Sequence, residues 1–431
     1  MKAEIKKRLE AIRHGETLEG YNTKLGMCPE SWKKIKLSEI CEKITKKNIG
    51  NSIKTVFTNS AIDGVILQSK YFDKCIANEE NTENYYIVEK KDFIYNPRIS
   101  SNAAYGPISP NELNINGIVS PLYTVFRQID TKNVIFEYLK YFFASSQWHE
   151  YIYSIGNYGV RFDRINILDD DFFNMPIIIP PISDQKEIVK IIKQCEEIIA
   201  LKVKYLSEKR KLKKWLLENL LNPNSGVRLP GFKGEWKEKR LGELGVFSKG
   251  FGISNDDCLT GDYPCIKYGD IYMRYNYFVN EVVSHTEEEI ANNSKIINSG
   301  SLLFTGSGED PLEIGKCVVY LGKEKVAVGG DIIIMTPKEV NSLFLSYQQY
   351  TSKMINRKAE LAQGYSVVHI YTDLIKSLKV SIPSSIKEQE AIADILYQID
   401  TEVNLLDREL AEWCVLKKAL MQVLLMGIVR V

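Results

Sequence analysis

The chain has 431 residues, more than one compact core of about 100 to 200 residues organises, so two or three domains are expected. Its composition is 44% hydrophobic, 26% charged and 10% aromatic, with 27 Gly and 14 Pro, which excludes collagen-like and disordered classes; its apolar runs are too short to span a bilayer. A balance of 56 Lys and Arg against 55 Asp and Glu leaves a net charge of +1, which neither announces nor excludes nucleic acid, because a basic face can be offset by an acidic one.

The start, MKAEIKKRLEAIRHGE, lacks the apolar stretch of a signal peptide and predicts a short helix over 2–14 ended by Gly15, so a cytoplasmic protein without membrane contact is expected. That segment and its arm fill residues 1–28. A first body over 29–183 mixes β-rich runs (YYIVEKKDFIY) with a helical one (FEYLKYFFASSQWHEYI) and closes on the apolar strand of MPIIIPPISDQKEI. A long helix is expected over 184–222, then a linker rich in Pro, Gly, Asn and Ser over 223–235. A second body over 236–383 repeats the mixture (SLLFT, KCVVYLG, VAVGGDIIIM, SLFLSYQQYTSKMINRKAELA), and a second long helix fills 384–431. The eight Cys include no CxxC and the four His lie far apart, so reduced thiols and no zinc site are expected.

The two halves are a repeat. At one offset of 204 residues, Trp32, Lys33, Leu37 and Glu39 fall on Trp236, Lys237, Leu241 and Glu243, while Ile182, Gln185, Ile188 and Leu206 fall on Ile386, Gln389, Ile392 and Leu410. Each half therefore reads as a Trp start, a mixed body, a strand, a proline turn and a long helix. Steps of four and three along the second helix meet Ile392, Leu396, Ile399, Val403, Leu406, Leu410, Trp413, Lys417, Leu420 and Leu424. The matching series in the first is Ile188, Ile192, Cys195, Ile199, Lys202, Leu206, Lys209, Lys213, Leu216 and Leu220. These are heptad seams. Residues 184–222 carry ten Lys and Arg against six Asp and Glu, and 386–426 carry four against eight, so net charges of +4 and −4 mark the helices as partners in a coiled coil.

Four segments resemble the specificity subunit of type I restriction-modification systems over essentially the whole chain. GYNTKLGMCPESWKKIKLSEI and RLPGFKGEWKEKRLGEL resemble the openings of that family's two target recognition domains; PPISDQKEIVKII and IPSSIKEQEAIADIL resemble the proline-then-EQ starts of its long helices. Two departures are Asp184-Gln185 where Glu-Gln is usual, and Ile382-Pro383-Ser384 without a double proline. The resemblance implies an α/β fold: two similar mixed α/β target recognition domains in pseudo-two-fold arrangement, joined by two long antiparallel coiled-coil helices. It implies a non-catalytic reader of an asymmetric bipartite site in double-stranded DNA, docking two methyltransferase subunits and joined in the complex by restriction and translocase subunits. This chain would bind no cofactor; S-adenosylmethionine would sit on the methyltransferase subunits. At 1.5 Å per residue a helix of 39 residues spans about 58 Å, one to two turns of B-DNA, and so suits a ruler between half-sites.

Three enzyme readings fail on the residues. Phe304-Thr305-Gly306-Ser307-Gly308 fits the FxGxG loop of DNA methyltransferases, but its counterpart in the first half is Tyr95-Asn96-Pro97-Arg98, so both read as a strand running into a variable loop. Asp73, Glu89 and Lys91 fit a loose metal-nuclease pattern that the second half does not repeat. His149 and His369 have no nucleophile motif near them, and the chain has no Walker loop. No catalytic or metal residues are expected. The DNA-facing candidates lie in loops rich in Asn, Ser, Arg, Lys and Tyr: Arg98, Ser101, Asn102, Tyr105, Asn157, Tyr158, Arg161 and Arg164 in the first body, and Lys249, Asn255, Lys267, Tyr268, Arg274 and Tyr275 in the second. The rival reading is a coiled-coil scaffold that joins proteins without touching DNA.

Overall fold

A computed structural model describes residues 21–23, 26–28, 31–71, 82–158, 163–254, 257 and 261–431. The helix expected over 2–14, together with Asp73, Arg161 and Asn255, lies outside these residues. The chain divides into two compact units, 1–201 with 410–431, and 202–409, so the boundary cuts through both long helices.

In the first unit the strands Cys41–Lys43, Thr124–Gln128, Phe93–Tyr95 and Ile108–Pro110 form one antiparallel sheet in that order. The helix Phe136–Phe143 covers it, because FEYLKYFF places rings on the face turned to the sheet. Phe93 stacks on Phe126 at 5.3 Å, and Phe143 meets the two at 5.4 and 5.5 Å. The second unit repeats the order with Gly245–Lys249, Ile332–Pro337, Leu302–Thr305 and Cys317–Tyr320, and adds Phe278–Val279 parallel to the last strand. Its covering helix, Ser342–Gln348, is capped by Asn341, whose side chain accepts from the Phe344 amide.

Each body closes on a two-stranded ribbon that joins its Trp start to the strand before its long helix: Lys33–Lys36 with Pro176–Ile179, and Trp236–Arg240 with Lys379–Pro383. Lys33 faces Ile179, but Lys237 faces Ile382, one residue short of the 204-residue offset. The second turn therefore carries one extra residue, Pro383-Ser384-Ser385 in place of Pro180-Pro181, which accounts for the missing double proline.

Both turns are fastened by the repeated glutamine. Gln185 is fully buried; its Oε1 accepts from the Ile135 amide at 2.8 Å, and its Nε2 donates to the carbonyls of Asn133 and Pro180, both at 2.8 Å. Gln389 accepts from the Asn341 amide and donates to the Pro383 carbonyl, both at 2.9 Å. One amide side chain thus ties the strand end to the N-terminus of the body's covering helix, satisfying backbone groups that burial would otherwise orphan.

The long helices run over Ile182–Leu220 and Ile386–Leu425. In the first unit Ile188, Val189 and Ile192 share a core with Leu424, Leu425 and Val429; in the second, Leu217, Leu220 and Leu221 share one with Ile392, Ala393 and Leu396. Each body's core is completed by the start of one helix and the end of the other, which is why the compact units do not end where the sequence places the helices apart from the bodies. Pairing is antiparallel: Lys202 meets Glu409 at 2.6 Å, Lys209 meets Glu402 at 2.7 Å, and Lys213 meets Asp400. In the first unit Lys417 meets Glu196 at 2.7 Å. Ile188, Ile192, Leu206, Leu220, Ile392, Leu396, Ile399, Val403 and Leu424 of the seam are buried, while Ile199, Leu216, Leu410, Trp413 and Leu420 are half-buried. The four lysines that interrupt the apolar seam are the four that form these ion pairs.

Candidate nucleic-acid interface

In the first body the strand Phe93–Tyr95 runs into Asn96-Pro97-Arg98. The Asn96 amide group donates to the Asn59 carbonyl at 3.0 Å, and its Oδ1 accepts from the Arg98 backbone at 3.1 Å, an Asx turn that sets the direction of the loop. The loop then pairs antiparallel with 163–165: the Ile165 amide donates to the Pro97 carbonyl and the Ile99 amide to the Asp163 carbonyl, both at 3.0 Å, with Arg98 opposite Arg164. Ile165 is buried, and in an extended segment the neighbour of a buried residue faces the other way, so Arg164 is left half-exposed beside the exposed Arg98. The two line a cleft of about 410 Å³ whose walls include Asn59, Gln68, Tyr71 and Tyr123 and, among the described residues, no acidic one. Arg98 makes no side-chain hydrogen bond or ion pair among the described residues, and Arg164 has only a 3.8 Å approach to Asp163.

The second body has a cleft at the corresponding place. Its strand Leu302–Thr305 runs into Gly306-Ser307-Gly308, which pairs antiparallel with 368–370: the Ile370 amide donates to the Gly306 carbonyl at 2.9 Å, and Ser307 lies opposite His369. The preceding residues correspond as well, since the Asn96 amide donates to the Pro107 carbonyl and the Thr305 amide to the Lys316 carbonyl, each at 3.0 Å. Pro97, Arg98, Arg164 and Ile165 thus match Gly306, Ser307, His369 and Ile370, and both isoleucines are buried. The Ser307 hydroxyl lies 3.2 Å from His369 Nδ1. The Ser307 carbonyl accepts from the hydroxyls of Tyr268 and Tyr272 at 2.6 and 2.7 Å, which fixes the loop. This cleft measures about 100 Å³ and is also lined by Lys249, Asp331 and Tyr371. Asp331 holds φ of 58°, a left-handed conformation sparsely populated outside glycine and found at sites where the surroundings enforce it. Because the Ser307 contact uses Nδ1 and no carboxylate is hydrogen-bonded to the ring among the described residues, the pair lacks the orienting third group of a hydrolytic triad.

The other candidates distribute unevenly. Ser101, Asn102, Asn157, Lys249 and Arg274 are exposed and Lys267 is half-buried. Tyr105 is half-buried, its ring 4.9 Å from His149 and 6.4 Å from Tyr153, and Tyr158 lies half-buried in the strand Asn157–Tyr158. Tyr275 is a correction: only 7% exposed, it packs in the second body's core and its hydroxyl accepts from the Val283 amide at 2.8 Å, so it has no free face for a ligand. The Tyr268 hydroxyl likewise serves the Ser307 loop. Glu89, a residue of the rejected nuclease pattern, accepts from Arg127 at 2.7 Å, and Lys91 lies over the Phe136 ring at 5.1 Å. No cluster able to hold a metal ion, and no helix long and apolar enough to cross a membrane, occurs among the described residues. Reading loops by composition missed Ser307 and His369; the repeat alignment of 304–308 with 95–98 was the signal that could have found Ser307.

The family model for the type I restriction modification DNA specificity domain matches residues 29–208 and again 233–412, so each match contains one of the two clefts. The chain belongs to this family. A type I restriction enzyme specificity subunit of Methanocaldococcus jannaschii, MjaVIII, is 22% identical over 426 residues, 94% of each chain. A putative type I restriction enzyme specificity subunit of Haemophilus influenzae is 27% identical over 252 residues, 56% of this chain and 60% of its own. The fold is shared with a solved structure described under assembly and conformational transition of the type I R-M system, at 16% identity and a TM-score of 0.58, covering 93% of this chain and 99% of that one. It is shared also with a type I S subunit of M. genitalium at 16% identity and a TM-score of 0.54, covering 91% and 96%. As a member of the specificity family, the chain carries the family's domain twice, and the repeat seen in the sequence is that duplication.

Proposed function

We propose that the chain is the non-catalytic, cytoplasmic subunit that chooses the DNA sequence for a type I restriction-modification complex. Each body reads one half of a bipartite duplex site, and because the bodies differ the site is asymmetric. The observation that carries this reading is the duplicated cleft: one backbone arrangement, built twice past the end of the corresponding interior strand, presents Arg98 and Arg164 in one copy and Ser307 and His369 in the other. A common frame holding different donors is what two readers of different bases require. Methyltransferase subunits, which carry S-adenosylmethionine, dock on the long helices. Supporting this, a two-stranded pair covers only its seam, and Leu201 and Val415 in one unit and Tyr205, Leu212, Trp215 and Leu405 in the other remain exposed.

The test is co-expression of the methyltransferase subunits of the same system with and without this chain, followed by mapping of methylated bases in the host genome. Methylation confined to one asymmetric bipartite sequence, and only when the chain is present, is the expected result. A sequence unchanged by leaving the chain out would favour the scaffold reading.

A further inference from the structure

We infer that Arg98 and Arg164 are specificity-determining residues that together require a guanine in the half-site read by the first body, and that Ser307 and His369 hold the corresponding base-reading places in the second. This rests on the proposed reading of DNA and goes beyond it by assigning residues and a base. The backbone pairing puts Arg98 and Arg164 directly opposite one another, as it does Ser307 and His369. Two guanidinium groups at one cleft, with no carboxylate in its lining among the described residues, form a site for an electron-rich edge, and the two adjacent acceptors of guanine, O6 and N7, fit a guanidinium fork. The cleft also has polar depth: Asn59, 1% exposed, lines it, and its Oδ1 has no hydrogen-bond partner among the described residues. The second cleft repeats this feature with Thr372, whose buried Oγ1 is likewise unpartnered. In place of two fixed positive charges it offers a hydroxyl, an imidazole, Lys249 and Asp331, so it cannot impose the same base by charge. The backbone supports of both loops come from elsewhere, from Asn96 in one and from Tyr268 and Tyr272 in the other, so the reading side chains can change without moving the loop.

The experiment maps the methylated sequence produced by the complex of full-length chain and methyltransferase subunits for the parent and for Arg98→Ala, Arg98→Lys, Arg164→Ala and the Ser307→Ala, His369→Ala double variant, with binding of the mapped duplex measured across salt concentrations. Thermal unfolding confirms that each variant is folded, which the exposure of Arg98 favours. The parent should require guanine at a position of one half-site. Arg98→Ala and Arg164→Ala should each lose about tenfold to a hundredfold of discrimination at that position, leaving the other half-site and the gap intact. Arg98→Lys should keep part of it, and the double variant should relax only the other half-site. Overturning results are a parent site with no guanine in the half-site untouched by the double variant, or Arg variants that weaken binding equally for all sequences and lower the salt slope by about one each, which marks phosphate contacts. A parent complex without any bipartite site is a separate outcome, visible before any variant is made, and it sinks the proposed function together with this assignment.

Discussion

Lys213 on the first long helix pairs with Asp400 on the second, and the repeat reproduces the pair 204 residues on as Lys417 with Glu196. A tyrosine from the covering helix completes each: Tyr347 donates to Asp400 and Tyr141 to Glu196, both at 2.7 Å. Each body is thereby fastened to both helices by one carboxylate. Burial differs, because the Asp400 side chain is 4% exposed and the Glu196 side chain 35%.

Asp400→Ala is expected to destabilise the second unit by about 3 kcal/mol, since it takes the carboxylate partner from a half-buried lysine and leaves a buried hydroxyl unpaired, whereas Glu196→Ala should cost the first unit about 1 kcal/mol. Hydrogen exchange on the full chain, which reports each unit separately, measures both. Equal losses in the two units would contradict the assignment.

The two carboxylates should also titrate in opposite directions. At Glu196 burial pushes the carboxyl up, but the hydrogen bonds from Lys417 and Tyr141 outweigh it and hold the group below its ordinary 4.5. At Asp400 burial pushes the carboxyl up and Lys213 and Tyr347 offset it only in part, leaving it above its ordinary 3.8. The stability from Glu196 is therefore present above pH 4.5 and lost as pH falls through the folded value. The contribution of Asp400 instead grows as pH falls through its folded value towards 3.8. Carboxyl-carbon NMR titration should place the two midpoints on opposite sides of their ordinary values.

Lys358 gives an alkaline counterpart. It is fully buried, donating to the Gly315 carbonyl at 2.8 Å, and burial pushes its ammonium down from 10.5 to about 8. Between these values the unfolded chain holds a proton that the folded chain has released, so stability should rise with pH, by at most about 3 kcal/mol. Lys358→Met should flatten that rise in urea unfolding measured across the same window; an unchanged slope would remove Lys358 as its source.

Gln389→Ala should cost about 1 to 3 kcal/mol, because it strips a half-buried backbone amide and a buried proline carbonyl of their partner, and Gln185→Ala should cost more, since Gln185 holds three backbone groups. Denaturant unfolding of the two variants orders them.

The repeat and the seam were legible because both are periodic, and periodicity survives in a single sequence. Even the interruptions were visible: Lys202, Lys209, Lys213 and Lys417 stand at seam positions, and the opposite net charges of the helices pointed to their partners. The clefts were not legible. Arg98 meets Arg164, and Ser307 meets His369, through cross-strand register between segments far apart in the chain, which no local pattern encodes. Tyr275 was misplaced for a related reason: in IKYGDIYMRYNY the aromatic rings crowd one short helix and its exit, and only the packing decides which ring turns to the core.

Exchange of a whole body tests the central claim most directly. With residues 236–383 replaced by the matching body of a relative, and the chimera assembled with its methyltransferase subunits, sequencing of methylated sites should show one half-site changed while the other half-site and the gap stay as in the parent. A change in both half-sites, or in neither, would contradict independent reading by two bodies.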